Sequence, residues 1–260
     1  MFLESAPKTS DIGALLIDRF VVVPPNHFHP EDHPVGPISL SPDGSQLWTV
    51  YNREQLISLQ FPELEVTSKW SNSLANVISG KSAITSIAAG SQWCLAGCGD
   101  GHLRVVKDGK LLATINGPGG DINSIVLSED EKTAVLGTDA GKLRIIGLPD
   151  GSKIDDLPDH DHEVISLGLS QDGNVLVSSS REGSLHVWRR QAGKFRLFAR
   201  LPLDHSRPRA RLSPDGKRIA VLSGSPTAIL IWHLDRLDQR LTELGIPTRT
   251  GRSLAPSEDR

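Results

Sequence analysis

Apolar and polar positions alternate along this chain in short bursts. QLWTVY (46–51), WCLAGC (93–98), TAVLGT (133–138), VLVSSS (175–180) and RIAVLS (218–223) are rich in Val, Ile and Leu and are bounded by Gly, Asp or Pro. Each is followed by a tight polar turn and another run: QLISLQ (55–60), LRVV (103–106), LRII (143–146), LHVW (185–188) and ILIW (229–232). Runs this short, with side chains alternating in period two, predict antiparallel strands rather than helices. A shorter alternating run precedes each pair, and most units close on a fourth, such as KLLATI (110–115) and FRLFARL (195–201). The one exception follows ILIW. There Leu234, Leu237, Leu241 and Leu244 are spaced 3, 4 and 3, which predicts a short amphipathic helix over 234–245, ended by Gly245.

The units repeat. DHPVGPISLSPDG (32–44), DHEVISLGLSQDG (161–173) and DHSRPRARLSPDG (204–216) share one frame, Asp-His-x₇-Ser-x-Asp-Gly. The interval from Asp161 to Asp204 is 43 residues, and that from Asp32 to Asp161 is three times as long. Two weaker copies fill the gap: INSIVLSED (122–130) and ITSIAAGSQ (84–92) share an Ile-x-Ser-Ile core, and the first aligns with VISLGLSQD (164–172). The five units start near residues 32, 81, 119, 161 and 204, within a repeat region of 32–233. A four-stranded sheet cannot cover both of its own faces, so such units must stack on one another. The expected fold is all-β, a β-propeller of about five four-stranded antiparallel blades with a short C-terminal helix.

In this pattern the chain resembles the WD40 repeat proteins, over about residues 32–240. The fourth unit carries the likeness best. Asp159-His160 stands for the family's Gly-His, SQDG (170–173) for its first turn, and Trp188 closes LHVW. The fifth has SPDG (213–216) and Trp232; in the second and third, Val106 and Ile146 take the Trp position. The resemblance implies a structural hydrogen-bonded set of His160, Ser178, Glu182 and Trp188, with Glu where the family has Asp, and a structural Trp232. It also implies how the ring closes. The last unit lacks a fourth strand, and WD40 rings take one from an early segment, here ALLIDRFVVV (14–23) within the N-terminal stretch 1–31. The closing helix is similar to the end of bacterial multi-repeat WD40 proteins, so two organisations stay open: a closed five-blade ring, or the C-terminal part of a larger propeller. Residues 246–260 are polar and read as a disordered tail.

Composition narrows the partners. A net charge of −3 gives no overall field to gather nucleic acid or an anionic membrane. ALLIDRFVVV is broken by Asp18 and Arg19 and lacks the features of an export signal, and no apolar run approaches the roughly 18 residues of a membrane helix. A cytoplasmic location is expected. Cys94 and Cys98, the only cysteines, lie in one apolar run and read as core thiols.

No catalytic constellation emerges. His27, His29, Asp32 and His33 have metal-ligand chemistry, yet Asp32-His33 belongs to the repeat frame, so the segment reads as an irregular connection. The Asp-Gly pairs read as hairpin turns rather than calcium loops, and GPGGD (117–121) has no following helix with Lys-Ser/Thr. No cofactor and no metal are expected. The expected function is a non-catalytic scaffold for a protein or peptide, acting as a monomer. The alternative is a lactonase-like propeller hydrolase with a site at the channel mouth. By the resemblance, partners meet the narrow face, which places His33, Asp100, Asp139, His162, Arg181, His205 and Arg207 there. RPRARLS (207–213) adds Arg209 and Arg211 on one strand face, opposite Ala210 and Leu212, a basic rim suited to an acidic partner.

Overall fold

The computed structural model of the protein describes residues 37–51, 54–60, 65–71, 83–203, 208–224 and 227–237. Within them the alternating runs become nineteen strands in five antiparallel sheets, each a simple meander. Blade one is β1 (Ile38–Leu40), β2 (Gln46–Tyr51), β3 (Gln55–Gln60) and β4 (Glu65–Ser71). Blade two is β5 (Ile84–Ala89), β6 (Cys94–Cys98), β7 (His102–Lys107) and β8 (Lys110–Asn116). Blade three is β9 (Ile122–Leu127), β10 (Thr133–Thr138), β11 (Leu143–Gly147) and β12 (Lys153–Leu157). Blade four is β13 (Val164–Leu169), β14 (Val175–Ser180), β15 (Ser184–Gln191) and β16 (Lys194–Pro202). Blade five has three strands among the described residues, β17 (Arg209–Leu212), β18 (Arg218–Gly224) and β19 (Thr227–His233), and leads into a helix at 234–237. The fold is therefore an all-β five-blade propeller. The proposed closing strand 14–23, the rest of the helix to 245 and the tail 246–260 lie outside the described residues.

The Ser-x-Asp-Gly motif builds the first hairpin of a blade. Ser41 Oγ donates to Asp43 Oδ1 at 2.6 Å and accepts the Gln46 N–H at 2.9 Å. Ser128 with Asp130, Ser170 with Asp172 and Ser213 with Asp215 repeat the pair. The hydroxyl of each Ser lowers the pKa of its Asp, which for Asp43 falls to about 2. Gly44, Gly173 and Gly216 follow at φ of 70°, 68° and 69°, a left-handed conformation that glycine adopts without strain.

Packing runs between blades, not within them. Trp48 and Leu56 of blade one meet Ile84, Ile87 and Cys94 of blade two. Leu95, Leu103 and Val105 of blade two meet Ile122 and Leu136 of blade three. Val135, Leu143 and Ile145 then meet Val164, Leu167 and Trp188 of blade four. Val177, Leu185 and Val187 meet Ala210, Ile219 and Val221 of blade five, where Leu234 of the helix joins the cluster. Blades two, three and four thus each have a backward face packed on the blade before and a forward face packed on the blade after. Each Leu or Val so buried stabilises the fold by about 1.5–3 kcal/mol of transfer free energy. Cys94 and Cys98 are buried in this core and form no disulfide with each other, and burial pushes the pKa of the Cys94 thiol up.

Candidate binding surface

In blade four His160, Ser178, Glu182 and Trp188 come together in one hydrogen-bonded network. The Trp188 indole N–H donates to Ser178 Oγ at 3.0 Å, and Ser178 Oγ lies 2.8 Å from His160 Nε2. On the other side of the ring, His160 Nδ1 is 3.1 Å from Ser184 Oγ, which donates to Glu182 Oε1 at 2.6 Å. One direction of donation satisfies every group: Trp188 to Ser178, Ser178 to Nε2, Nδ1–H to Ser184, Ser184 to the carboxylate. Glu182 stands 3.7 Å from His160, so most of its link to the ring runs through Ser184, and its other oxygen accepts from Ser180. His186 stacks on His160 with ring centroids 3.9 Å apart. Burial lowers the pKa of His160 to about 4 and of His186 to about 3, with Arg200 adding to both and Glu182 opposing. His160, Ser178, His186 and Trp188 are buried, Ser184 is half-buried and Glu182 exposed, and together they tie the loop before β13 to β14 and β15. Trp232, the counterpart of Trp188, packs against the blade-five core, but its indole N–H has no partner among the described residues.

At one end of the propeller, in blades two, three and four, the turn after the second strand is tied to the loop before the first. The N–H groups of Gly99, Asp139 and Arg181 donate to the carbonyls of Ala83, Asp121 and Glu163 at 2.9–3.0 Å. These equivalent bonds bring Asp100, Asp139, Arg181 and His162 to the same end. They are not equally free. Asp100 clamps the buried Arg104 and accepts the His102 N–H at 3.0 Å. Asp139 is exposed, and its Oδ1 accepts the Asp121 N–H at 2.8 Å. His162 is exposed, and Arg181 makes an open ion pair with Glu163 at 3.8 Å. His33, His205 and Arg207 lie outside the described residues.

The inner strands β1, β5, β9, β13 and β17 together line a central cavity of about 990 Å³. Its uncharged polar surface comes from Ser39, Thr85, Ser86, Asn123, Ser124 and Ser166, and among the described residues its only charged lining residues are Arg209 and Arg211. Both arginines are exposed, while Ala210 between them is fully buried, as strand alternation requires. Arg211 donates to the Ala210 carbonyl at 3.1 Å, and neither guanidinium makes an ion pair among the described residues. The cavity can therefore accept an anionic group without displacing an internal carboxylate.

Two structural roles escape a unit-by-unit reading of the sequence. Blade two has Gly90-Ser91-Gln92 where other units have the Ser-x-Asp turn, and Glu131 of blade three supplies the carboxylate instead. It accepts the N–H and the hydroxyl of Ser91, both at 2.5 Å. Inner-strand hydroxyls also bond across to the next blade. Ser39 Oγ accepts the Ala89 N–H at 3.0 Å, Ser86 Oγ donates to the Ile122 carbonyl at 2.5 Å, and Ser166 Oγ accepts the Ala210 N–H at 2.9 Å. The sequence signal for this was the recurring Ser of the Ile-x-Ser-Ile core.

Five radially stacked antiparallel sheets around a shared channel, four of them four-stranded and the fifth three-stranded among the described residues, define the class of this protein as a β-propeller. Residues 151–189, which take in most of blade four, match the family model of the WD domain, G-beta repeat. No curated protein matches the chain.

Proposed function

We propose that this protein is a non-catalytic WD40-type scaffold that holds an acidic protein or peptide segment at the mouth of its channel. The observation that carries this reading is the pair Arg209 and Arg211, two exposed guanidiniums without an internal carboxylate, in a cavity otherwise lined by hydroxyls, amides and aliphatic groups. A guanidinium forms paired, charge-assisted hydrogen bonds with a carboxylate, and among the described residues no carboxylate lines the channel. Arg181 and His162 at the rim extend the surface that a partner meets. The reading includes action as a monomer in the cytoplasm; Cys94 and Cys98, buried and not joined in a disulfide, suit a reducing compartment. Among the described residues, no helix is long and apolar enough to cross a membrane.

The test is charge reversal in the full-length chain. Arg209→Glu with Arg211→Glu should lower capture of the partner by about tenfold or more, because opposed charges replace paired ones. Arg181→Glu should reduce it less. The melting temperature should stay within about 2 °C, since these side chains are exposed. Unchanged capture would refute the reading. A parallel loss of melting temperature would assign the arginines to the fold instead.

A further inference from the structure

The surface that follows blade five in the ring is built unlike the four interfaces before it. In blades two, three and four the forward face of the inner strand carries Ser86 and Ala88, Ser124 and Val126, and Ser166 and Gly168. These residues let the next inner strand approach closely. A Cβ on Gly168 would sit 3.1 Å from the Leu212 backbone nitrogen and 3.0 Å from Val177. In blade five the same two positions hold Arg209 and Arg211. Two long guanidinium arms stand where a neighbouring strand would lie, so this face cannot receive a blade in the manner of the others.

The outer half of the face is apolar and uncovered. Leu185 and Val187 of blade four are fully buried, whereas their counterparts Ile229 and Ile231 in blade five are 67% and 52% exposed. Next in ring order is the backward face of blade one, where Ile38 and Leu40 are 62% and 54% exposed. Ile38, Arg209 and Arg211 line the same cavity, so the interval between the two blades opens into the channel. It has one aliphatic wall, and one wall that is basic toward the axis and aliphatic further out.

We propose that this interval is a docking cleft for an extended segment of a partner protein, with carboxylates two residues apart and apolar side chains between them. Residues i and i+2 of a strand lie on one face, about 6.5–7 Å apart, which is the spacing of Arg209 and Arg211 along β17. Alternate residues of the segment then point the other way, onto Ile38 and Leu40. Two other occupants fit the charge less well. A second copy would offer either the aliphatic face of its blade one, leaving both arginines unpaired, or its own arginines. Residues 1–36 of this chain contain carboxylates at 4, 11, 18, 31 and 32, no two of them two positions apart. The proposal rests on the scaffold reading above and makes it specific: it fixes the partner's conformation and the position of its charges.

The experiment uses the full chain and two labelled synthetic peptides of identical composition, read by fluorescence anisotropy. One has Glu at i and i+2 within a Val/Ile strand sequence; the other has the two Glu adjacent. The alternating peptide should bind about tenfold more tightly, and binding should fall about tenfold in Arg209→Glu/Arg211→Glu and again in Ile38→Lys. Equal binding of both peptides would overturn the proposal, as would an unchanged affinity in Ile38→Lys. If Ile38→Lys spares capture of the native partner while the arginine reversals abolish it, the scaffold reading survives and the cleft does not. If the arginine reversals change neither peptide nor partner binding, both fall. A wild-type dimer that Ile38→Lys dissolves would assign the cleft to a second copy. A peptide affinity that rises in Asp18→Asn would assign it to the chain's own N-terminal segment. Either result overturns the proposal.

Discussion

Ser178 is the side chain on which the blade-four network depends. Its hydroxyl accepts from Trp188 and serves His160 Nε2, and all three residues are buried. Ser178→Ala would leave an indole N–H and a ring nitrogen without partners in the interior. The expected cost is about 2–4 kcal/mol, from two orphaned groups at 1–3 kcal/mol each with some relaxation, and equilibrium denaturation measures it. The same network sets a pH response. His160 and His186 are neutral when folded, with pKa values lowered to about 4 and about 3 from 6.5, because burial disfavours their charged forms. The unfolded chain therefore takes up these protons first. Their contribution is complete above pH 6.5 and is lost as pH falls from 6.5 toward 4. The turn carboxylates of Asp43, Asp130, Asp172 and Asp215 have lowered pKa values, so their contribution persists above about pH 3.8 and fades only below it. Melting temperature should be flat from pH 8 to 6.5 and decline toward pH 4, and His186→Leu should reduce the decline. A flat profile down to pH 4.5 would contradict this account.

At the scale of strands and turns, the alternation of side chains carried most of the information. TAVLGT and VLVSSS coincide with β10 and β14, and among the described residues the fifth unit has three strands and leads into a helix at 234–237, where the leucine spacing begins. Contacts between repeats were not legible, since no local period encodes which blade supplies a missing group. Glu131 is the clearest case. It replaces the turn glycine of its own unit at a φ of 53° and reaches into the turn of blade two. Glu131→Ala should leave the Ser91 N–H unpaired and destabilise the protein by about 1–3 kcal/mol. Amide exchange at Ser91 and Gln92 should accelerate although both lie some forty residues away in sequence. Asp172→Ala, by contrast, should perturb only its own hairpin. If Ser91 exchange is unchanged in Glu131→Ala, the link between the two blades carries no stability. The arginines were legible for a different reason: a charge in a column otherwise occupied by Ser, Ala, Val and Gly breaks the repeat, and the break falls on the surface that lines the channel.

For the whole molecule, the question is what protects the last blade. The third strands of blades two to four are sandwiched between a second and a fourth strand, and Leu103, Val105, Leu143, Leu185 and Val187 on them are almost wholly inaccessible. β19 pairs with β18 alone among the described residues, and Ile229, Leu230 and Ile231 on it are all exposed, on both faces of the sheet. An aliphatic strand with a bare hydrogen-bonding edge is a template for pairing with other chains. ALLIDRFVVV at 14–23 is the one remaining stretch of comparable β-forming character outside the repeats, and a strand from it beside β19 would cap the edge and cover Leu230. The thirteen residues from Pro24 to Gly36 would connect it to β1 and could span roughly 40 Å when extended, more than the width of a four-stranded sheet. Deleting residues 1–24 should therefore lower the melting temperature and drive concentration-dependent aggregation, although no repeat is touched. Replacing Ile229 and Ile231 by Lys in the truncated chain should suppress the aggregation without restoring the lost stability, because charge blocks edge pairing but supplies no fourth strand. Light scattering and thermal unfolding on the same samples separate the two effects. A truncated chain that stays monomeric at unchanged stability would show that this strand does not close the last blade.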